Sequence, residues 1–400
     1  MRTRSKIALL ALAVTSTFGT MIAAPAVKLL AVAFPDTNPL LIQWFITVSS
    51  LFILPTLFMA GYLSRRFSRK SILVVGLLLY LIGGIGPAFV DSFNVMLAFR
   101  ALLGLSIGLI SPAFNALIAE SFQGQERMRM NGFVTAINGI GGAVFLSIGG
   151  IIASYGWRNV FLTYVYAIVL LIAVLWFLPK FPPKFPQAAD GINTLVNTSK
   201  TKIPRFFYLV AVAGGVHAML YFLIPTNLSF YLTDNHIGSV TTVGYLSALS
   251  LIGAFIGGVS VTVLSTFFGK KLVPVLLITM AAGFAVFAIA HSVWTAALAV
   301  LLIGFAEGLL FPLTFNKTAE IVPAERLTAA ISILLSFVYA FQFFTPLFMQ
   351  GVQTMFHLDS SRQAFMLIAE ALIAAVILYF IFVRVNRAKT TMLKREGVQS

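Results

Sequence analysis

The sequence predicts an all-α polytopic membrane protein whose twelve transmembrane helices form two six-helix bundles. Three observations lead to that prediction. Of the 400 residues, 59% are apolar and only 10% are charged, and the mean hydropathy is +0.97. Twelve apolar runs are each long enough to cross a bilayer, which takes about 20 residues. The two halves of the chain also resemble each other at an offset of 200 residues.

This composition excludes several classes of protein. An ordinary soluble domain carries about 25% charged residues, so a soluble enzyme, a disordered chain and a nucleic-acid-binding domain are excluded. The net charge of +15 comes from 27 Lys and Arg residues that fall mostly in short connections. Cysteine is absent, so the chain has neither a disulfide framework nor a thiolate metal site.

The twelve predicted spans, numbered 1 to 12 in chain order, are separated by charged connections. In the first half they cover 7–34, 40–62, 71–90, 94–118, 132–153 and 159–179. In the second half they cover 205–232, 241–268, 272–290, 293–316, 327–349 and 363–383. The longer connection, 180–204, is rich in proline and polar residues, which favours a linker. We therefore expect an N-terminal bundle at 1–179, a cytoplasmic linker at 180–204 and a C-terminal bundle with a cytoplasmic tail at 205–400.

The orientation follows from the Lys and Arg residues, which accumulate in cytoplasmic loops. With the N-terminus in the cytoplasm, 23 of the 27 fall in segments predicted to be cytoplasmic. We expect a multi-pass protein of the cell inner membrane with both termini in the cytoplasm. A cleavable signal peptide ending near Ala26 is the competing interpretation. The apolar run continues to Phe34, however, which is too long for a signal-peptide core.

The internal repeat is clearest in spans 4 and 10. Gly104, Gly108, Leu109, Pro112, Ala119 and Glu120 recur as Gly304, Gly308, Leu309, Pro312, Ala319 and Glu320, and Pro25 recurs as Pro225. Because each half has six spans, the halves are predicted to be parallel repeats related by an axis along the membrane normal. The glycines predict close helix approach. The prolines predict kinks, which either shape a central cavity or only bend helices for packing.

Motifs in spans 2 to 6 resemble those of the major facilitator superfamily. Residues 61–70, GYLSRRFSRK, stand where that family has roughly G-x-L-A-D-R-x-G-R-K, with Arg65 and Ser68 in place of the acid and the second glycine. Similar patterns occur at Arg100, Gly104 and Gly108 in span 4, at Gly132, Gly141, Gly149 and Gly150 in span 5, and at Trp157 and Arg158 in span 6. Span 5 has Phe145-Leu146 where the antiporter signature has Gly-Pro. The resemblance covers essentially the whole chain and is nearest to drug/proton antiporters. It implies the superfamily fold and a cavity lined by spans 1, 4, 7 and 10.

Ionisable residues within apolar spans are costly and are candidates for function by default. They are Lys28, Arg100, His217, Glu307 and Glu370, and the first four fall on spans 1, 4, 7 and 10. Glu307 is the leading candidate because it lies about 14 residues, or roughly 20 Å, into span 10. Burial disfavours the charged carboxylate, so we predict that Glu307 takes up and releases a coupling proton. The alternative is a fixed ion pair with Arg100, Lys28 or His217.

The other four residues have open interpretations. Arg100 either binds an anion in the cavity, adjusts the charge of Glu307, or bonds backbone carbonyls as a strut. Lys28 either belongs to the coupling site or extends its long side chain to the outer surface. His217 is either a proton relay, since imidazole titrates near neutral pH, or a hydrogen-bonded packing residue. Glu370 lies on a peripheral span, where a structural or lipid-edge role is expected.

Two further sets of residues are predicted from their positions. Acidic residues at cytoplasmic helix ends, with basic neighbours, are expected to form gate ion pairs that break when the cavity opens inward: Glu120, Glu320, Arg66, Arg69, Arg127, Lys317 and Arg326. Polar and aromatic residues are expected to complete the substrate pocket: Asn115, Asn138, Tyr221, Tyr339 and Gln342. A large apolar pocket with few polar groups suits lipophilic substrates.

These features favour a secondary transporter that exports lipophilic small molecules, of the multidrug type, in exchange for protons by alternating access. A proton-coupled transporter of a small organic anion or nutrient is the alternative, and a channel or membrane sensor is a third possibility. The sequence has no Walker-type phosphate loop and no metal-ligand spacing, so we expect no enzyme activity, no cofactor and no metal. The expected partners are the small-molecule substrate, protons and the lipid bilayer, without nucleic acid. The chain is expected to be a monomer.

Overall fold

The computed structural model describes residues 3–179 and 202–396, and within these ranges every regular element is helical. Ten of the described helices are long and apolar enough to cross a membrane, and two shorter apolar helices, Phe18–Ala33 and Leu272–Ala288, complete the set of twelve. The predicted all-α fold is confirmed. Residues 180–201 of the predicted linker lie outside the described residues.

The spans agree with the predicted ranges to within about five residues, except that span 5 begins earlier and spans 11 and 12 end later. The first half has Thr3–Ala11, Val14–Met21 and Val27–Ala33 (span 1), Pro39–Arg66 (2), Arg69–Ile85 (3), Phe93–Ser121 (4), Gly124–Ala136 and Gly142–Ala153 (5), and Trp157–Leu162 and Tyr166–Phe177 (6). The second half has Arg205–Asp234 (7), Val240–Phe268 (8), Leu272–Ala288 (9), Val293–Ile321 (10), Leu327–Met355 (11) and Ser361–Glu396 (12). We call the end of the bundle at residue 3 the inner end and the opposite end the outer end.

Several helices begin at side chains that satisfy the free N–H groups of the first turn. The Ser239 side chain accepts a hydrogen bond from the backbone N–H of Thr242, and the Thr242 hydroxyl accepts one from the backbone N–H of Ser239. Ser292 and Thr295 form the same reciprocal pair. Asn38 accepts from the backbone N–H of Leu40. These reciprocal bonds define where spans 8 and 10 start, and the Asn38 bond does the same for span 2.

Three spans depart from a continuous α-helix. In span 6 a 3₁₀ turn at Thr163–Val165 separates the two α-helical segments. Span 1 is interrupted before Val27, with a 3₁₀ turn at Ala24–Ala26, because Pro25 lacks an N–H and its ring displaces the preceding turn. Of the four prolines predicted to kink a helix, Pro25 lies where the α-helix is interrupted, whereas Pro112, Pro225 and Pro312 lie within helices that continue past them. Span 5 contains a π-helical turn at Ile137–Gly141, which the sequence analysis did not predict.

The predicted glycine contacts are confirmed between spans 2 and 4 and between spans 8 and 10. A Cβ atom on Gly104 would lie 2.2 Å from the carbonyl oxygen of Ser49, and one on Gly304 would lie 2.1 Å from that of Ser250. Neither distance is compatible with a side chain, so only glycine permits these helices to approach so closely. The two contacts occupy repeat-related positions, as the offset of 200 residues predicts.

Spans 5 and 8, and spans 2 and 11, bring the two halves into contact. At the outer end of spans 5 and 8 the backbones touch, because a Cβ on Gly150 would lie 2.7 Å from the Cα of Gly244. Between spans 2 and 11, Thr47 donates to the carbonyl of Phe343 at 3.3 Å. Trp44 stacks on the Phe343 ring with centroids 5.4 Å apart. These contacts close the outer half of the interface.

The ion pairs are distributed differently at the two ends. At the outer end, Lys28 of span 1 and Asp234 of span 7 join the two halves, with Nζ 2.6 Å from Oδ1. At the inner end, the Lys6–Glu126, Arg69–Glu120 and Lys317–Glu320 pairs each lie within one half. The arrangement is that of a bundle closed on its outer side.

Candidate functional site

A cavity of about 570 Å³ lies between the two halves and extends from the middle of the bundle toward the inner end. Eight spans contribute to it, namely 1, 2, 4, 5, 7, 8, 10 and 11. Its lining is mostly apolar and consists of Thr20, Met21, Ile53, Ile107, Thr135, Asn138, Gly139, Tyr221, Phe222, Leu251, Ala254, Phe255, Gly258, Val259, Glu307, Gly308, Phe311, Pro312, Tyr339 and Gln342. A volume of this size accommodates a drug-sized molecule.

Repeat-related positions meet in this cavity, but they carry different chemistry. Ile107 faces the cavity from span 4, and its counterpart on span 10 is Glu307. In the same way Gly139 of span 5 corresponds to Tyr339 of span 11. At these positions the second half supplies the polar and aromatic groups, while the first half supplies small or apolar ones.

Glu307 forms a buried hydrogen-bonded chain with two neighbours. His217 Nδ1 lies 2.8 Å from Glu307 Oε2, and His217 Nε2 lies 3.2 Å from Thr314 Oγ1. Thr314 Oγ1 lies within hydrogen-bond distance of the carbonyl of Leu310, at 2.8 Å, and its lone pairs can accept from Nε2 when that atom is protonated. The glutamate is 8% exposed and the histidine 6% exposed. Of the partners predicted for Glu307, the structure places His217 beside it.

The contact between Nδ1 and Oε2 is compatible with more than one protonation state of the pair. With Nε2 protonated, the contact between Nδ1 and Oε2 needs one further proton, carried by either atom, because two facing lone pairs repel. An imidazolium with a carboxylate and a neutral imidazole with a carboxylic acid contain the same number of protons. A pair with one proton fewer retains the contact when Nδ1 carries the remaining imidazole proton and donates it to the carboxylate, while Nε2 accepts from Thr314.

Arg100 is fully buried and all of its guanidinium nitrogens are engaged. Nε donates to the carbonyl of Phe45 at 3.0 Å, and Nη2 donates to that of Thr20 at 3.0 Å. Nη1 donates to the carbonyl of Gly19 at 3.1 Å and to the hydroxyl of Tyr164 at 2.9 Å. These contacts match the interpretation of Arg100 as a strut. Its guanidinium binds the carbonyls of Gly19 and Thr20, which precede the break in span 1, and the carbonyl of Phe45 on span 2.

Lys28 lies at the outer end, away from the cavity. Its ammonium pairs with Asp234 and lies 5.4 Å from the centre of the Phe230 ring. Its backbone N–H also donates to Ser229 Oγ at 3.3 Å, and that hydroxyl donates to the carbonyl of Pro25 at 3.2 Å. The lysine thus extends outward, and it connects span 1 to span 7.

The predicted pocket residues fall into two groups. Asn138, Tyr221, Tyr339 and Gln342 line the cavity, whereas Asn115 is exposed and lies outside its lining. Tyr221 contacts Ser250 at 3.3 Å between hydroxyls, and Gln342 accepts from Ser50 at 3.3 Å. Asn138 lies on the π-helical turn, and its Oδ1 is buried without a hydrogen-bond partner among the described residues.

The predicted gate residues lie at the inner end. Arg69 donates to Glu120 at 3.1 Å and also to Ser64, which joins spans 2, 3 and 4. Glu320 is held by Lys317 on its own helix at 2.9 Å. The remaining three are Arg66, which lies 4.7 Å from the Tyr62 ring centre, Arg127, which is exposed, and Arg326, which precedes the first residue of span 11.

Some functional candidates were missed by sequence reasoning. Asp234 pairs with a lysine 206 positions earlier, and no local pattern signals that contact. Thr314 had a detectable signal, since it follows Glu307 by two helical turns and so shares its face. Among the described residues, no group of three His, Asp or Glu side chains is placed to hold a metal ion. Glu370 is exposed on span 12.

A family model described as Major Facilitator Superfamily matches residues 9–236 and 210–398. The uncharacterized MFS-type transporter YceJ of Bacillus subtilis (strain 168) is 25% identical over 292 residues, which is 72% of this chain and 74% of that protein. The hexuronate transporter of the same organism is 28% identical over 50% of this chain and 49% of its own. The puromycin resistance protein pur8 of Streptomyces alboniger is 37% identical over 33% of this chain and 26% of its own.

Solved structures show the same fold at low sequence identity. A bacterial homologue of the human lysosomal transporter Spinster, in an inward-facing and occupied conformation, superposes with a TM-score of 0.73 at 15% identity, covering 95% of this chain and 96% of the other. A D-xylose-proton symporter superposes with a TM-score of 0.71 at 17% identity, covering 94% and 96%.

Proposed function

Because this chain belongs to the Major Facilitator Superfamily, and is thus a membrane transporter rather than an enzyme, we propose that it exports lipophilic small molecules in exchange for protons. The observation that carries the proposal is the His217–Glu307 contact of 2.8 Å in the cavity wall. The pair keeps this contact with one proton or with two, so loading and unloading of the second proton changes the charge of the cavity wall. Tyr221 and Tyr339 are further titratable residues of the cavity lining.

The closed outer end supports the alternating-access part of the proposal. The cavity reaches toward the inner end, while Lys28–Asp234 and the Gly150–Gly244 contact hold the outer ends of the two halves together. Alternating access requires these outer contacts to separate and the inner ends to approach. We assign the inner-end charges, including Glu120, Glu320 and their basic neighbours, to the gate that forms in that second state.

The topology and assembly complete the proposal. We assign the inner end to the cytoplasm of a cell inner membrane, with both termini on that side, on the basis of the distribution of Lys and Arg. The two bundles, 1–179 and 205–400, are the moving bodies, and the connection at 180–204 joins them. A single chain encloses the complete cavity, which supports a monomer as the transporting unit.

A proton-coupled transporter of a small organic anion or nutrient is the second candidate, favoured by the similarity to a hexuronate transporter. The lining opposes it, because among the described residues the cavity presents no Lys or Arg side chain. Proteoliposome transport separates the two candidates. If the first candidate is correct, ethidium, a lipophilic cation, should accumulate in vesicles with an acidic lumen. If the second is correct, galacturonate, an organic anion, should accumulate in vesicles placed in an acidic bath.

The coupling residue is tested in the same vesicles with Glu307→Gln, which retains the shape of the side chain but does not titrate. The variant is expected to bind ethidium and to exchange it at equilibrium, yet to lose accumulation driven by the pH gradient. Glu370→Gln is the matched control, since that carboxylate is exposed on span 12, and it should accumulate ethidium as the unaltered protein does. Gradient-driven accumulation at the unaltered rate in Glu307→Gln would refute the coupling role.

A further inference from the structure

We propose that a second cavity, at the outer end of the bundle, binds a compact, uncharged aromatic molecule, and that this molecule holds the outer end closed. We call it the outer cavity, to distinguish it from the central cavity that contains Glu307. Its volume is about 400 Å³, which lies within the range of small-molecule sites. Among the described residues the two cavities share no lining residue. A molecule in the outer cavity would therefore regulate transport without occupying the position of the substrate.

The walls of the outer cavity belong to both halves of the protein. Spans 1, 5 and 6 form one wall and the start of span 8 forms the other, and the lining includes Leu29, Val32, Ala33, Ala153, Trp157 and Val240. Val240 of span 8 also packs against the apolar core of the first half. Because the outer ends of the halves separate in the alternative state, the complete cavity exists only while the outer end is closed.

Direct contacts between the halves lie beside the lining residues. Next to Val240, Thr241 Oγ1 lies 3.5 Å from the carbonyl oxygen of Gly150 on span 5. Lys28, which precedes a lining residue of span 1, pairs with Asp234 of span 7. A molecule between these contacts buries apolar surface against both walls, and that burial is lost when the walls part. Its higher affinity for the closed form therefore shifts the population toward that form.

The lining selects an uncharged molecule, because it offers neither a charge nor a free hydroxyl. None of the described lining residues is ionisable. Both lining hydroxyls are already bonded at the ends of their own helices. Ser154 Oγ donates to the carbonyl of Ile151 at 2.7 Å, and Ser239 Oγ accepts from the backbone N–H of Thr242. A charged ligand would lose water here without gaining a partner, which is strongly unfavourable.

Trp157 favours an aromatic ring over an alkyl chain. The indole is held by Phe34, with ring centroids 5.7 Å apart, and by Arg158, whose guanidinium carbon lies 4.6 Å from the ring centre. Aromatic rings attract each other beyond the effect of burying their area. The lining residues also lie at or near the ends of their spans, at the level where Trp side chains meet the membrane boundary. Lipid acyl chains lie deeper, so a small molecule suits this position better.

The outer cavity depends on a glycine that the other half lacks. Gly156, between spans 5 and 6, has a φ of +130°, which residues with a side chain rarely adopt. A Cβ there would meet only Asn159 Nδ2, at 3.5 Å, so the space beside Trp157 stays open. The residues 200 positions later are Phe356 and His357. The second half therefore has a bulky side chain where the first has none, and its repeat-related positions provide matched controls.

Photolabelling of the full chain locates the site. Benzophenone is uncharged and aromatic, and on illumination it inserts into nearby C–H bonds, so mass spectrometry identifies the labelled peptides. We expect saturable labelling within 29–33, 153–157 or 239–240, measured in digitonin, which lacks an alkyl chain. Diphenylmethane has a similar shape, and at about nine times its dissociation constant it should lower this labelling about tenfold. Diphenylacetate, an anion with the same rings, and dodecanol, an alkyl chain, should not compete.

A filled variant and its repeat-related control test the assignment. Ser154→Phe adds a ring to the lining and should abolish the saturable labelling. Thr354→Phe is the matched control, because Thr354 is exposed at the end of span 11, outside the lining, and its hydroxyl also bonds a carbonyl of its own helix, that of Gln350. The control should be labelled as strongly as the unaltered protein.

Spin labels at the inner end measure whether the ligand holds the outer end closed. They are attached to cysteines introduced for Gln123 and Lys271, which are exposed on the two halves. Diphenylmethane at about nine times its dissociation constant should raise the ratio of the longer to the shorter distance about tenfold, and should leave it unchanged in Ser154→Phe. If the unaltered protein shows no shorter distance, the same ratio is measured in Gly150→Ala, whose added Cβ would lie 2.7 Å from the Cα of Gly244 and opposes outer closure.

Four results would overturn the inference: no saturable labelling of the outer cavity, labelling that persists in Ser154→Phe, competition by dodecanol or diphenylacetate as strong as that by diphenylmethane, or a distance ratio that diphenylmethane does not change. Neither assay uses a transported substrate or a pH gradient. These results would therefore leave the proposed function standing. Ethidium transport that ignores the pH gradient would refute the proposed function and leave this inference standing.

Discussion

Gly150→Ala should shift the protein away from the outer-closed conformation. In the structure an added Cβ at this position would lie 2.7 Å from the Cα and 3.1 Å from the N of Gly244, and 3.1 Å from the carbonyl oxygen of Thr241. All three atoms belong to the backbone of span 8, so no side-chain rotation relieves the clash. Overpacking of this kind costs about 1–3 kcal/mol. Because the outer ends separate in the alternative state, the population ratio should change by about 5- to 150-fold.

Because the sequence contains no cysteine, spin labels attach only where a cysteine is introduced. Spin labels at cysteines introduced for Gln123 and Lys271, which are exposed at the inner ends of the two halves, report their separation in detergent. We expect Gly150→Ala to increase the fraction with the shorter distance, and Gly244→Ala to do the same. Gly132→Ala, on the same span with open space around its Cβ, should leave the distances as they are. An unaltered distance distribution in folded Gly150→Ala protein would refute the reasoning.

Three further predictions follow, two from the polar contacts and one from the distribution of Lys and Arg. Lys28→Asp should weaken the outer closure by about 0.2–1 kcal/mol, as expected for a partly exposed pair. Adding Asp234→Lys should restore the distances between spin labels at the outer end. If those distances stay altered in the double variant, the pair does not hold the outer end closed. Arg100→Lys should lower the free energy of unfolding by about 2–4 kcal/mol, because lysine does not replace four buried bonds. Arg158→Lys, at a half-buried arginine, should stay within about 0.5 kcal/mol. Thermal unfolding in detergent compares the two variants, and equal midpoints would contradict the role of Arg100 as a strut. Single cysteines at positions 36, 91, 236 and 359 should react with an impermeant reagent from outside intact cells and those at 68, 190 and 390 should not; the inverse pattern would reverse the orientation.

The spans were predictable because hydrocarbon imposes one requirement, about 20 apolar residues for each crossing. The break at Pro25 was predictable for an equally local reason, since proline lacks an N–H. The π-helical turn at Ile137–Gly141 was not, because its glycine-rich sequence fits an α-helix equally well. Pro225 shows the limit of the local rule: its helix continues from Arg205 to Asp234 although its counterpart Pro25 interrupts span 1.

The sequence predicts which residues belong to the candidate site better than it predicts which of them contact each other. An ionisable group on spans 4, 7 or 10 stands out against apolar neighbours, which is why Glu307, His217 and Arg100 were found. Their pairing depends on how three helices rotate about their axes, and periodicity within one helix does not fix that rotation. The structure brings Glu307 to His217 and directs Arg100 to carbonyls of spans 1 and 2. The distant Lys28–Asp234 contact depends on tertiary packing alone.

The difference between Ile107 and Glu307 has an electrical consequence. The duplicated halves place one titratable carboxylate, not two, on the described cavity wall. Under the proposed function, one proton therefore moves in each cycle against one substrate molecule. For a singly charged cation such as ethidium, the exchange carries no net current. A membrane voltage contributes about 2.3 kcal/mol per charge for each 100 mV, but an electroneutral exchange does not draw on it. The pH difference alone then limits the substrate gradient, and one pH unit sustains about a tenfold gradient of such a cation.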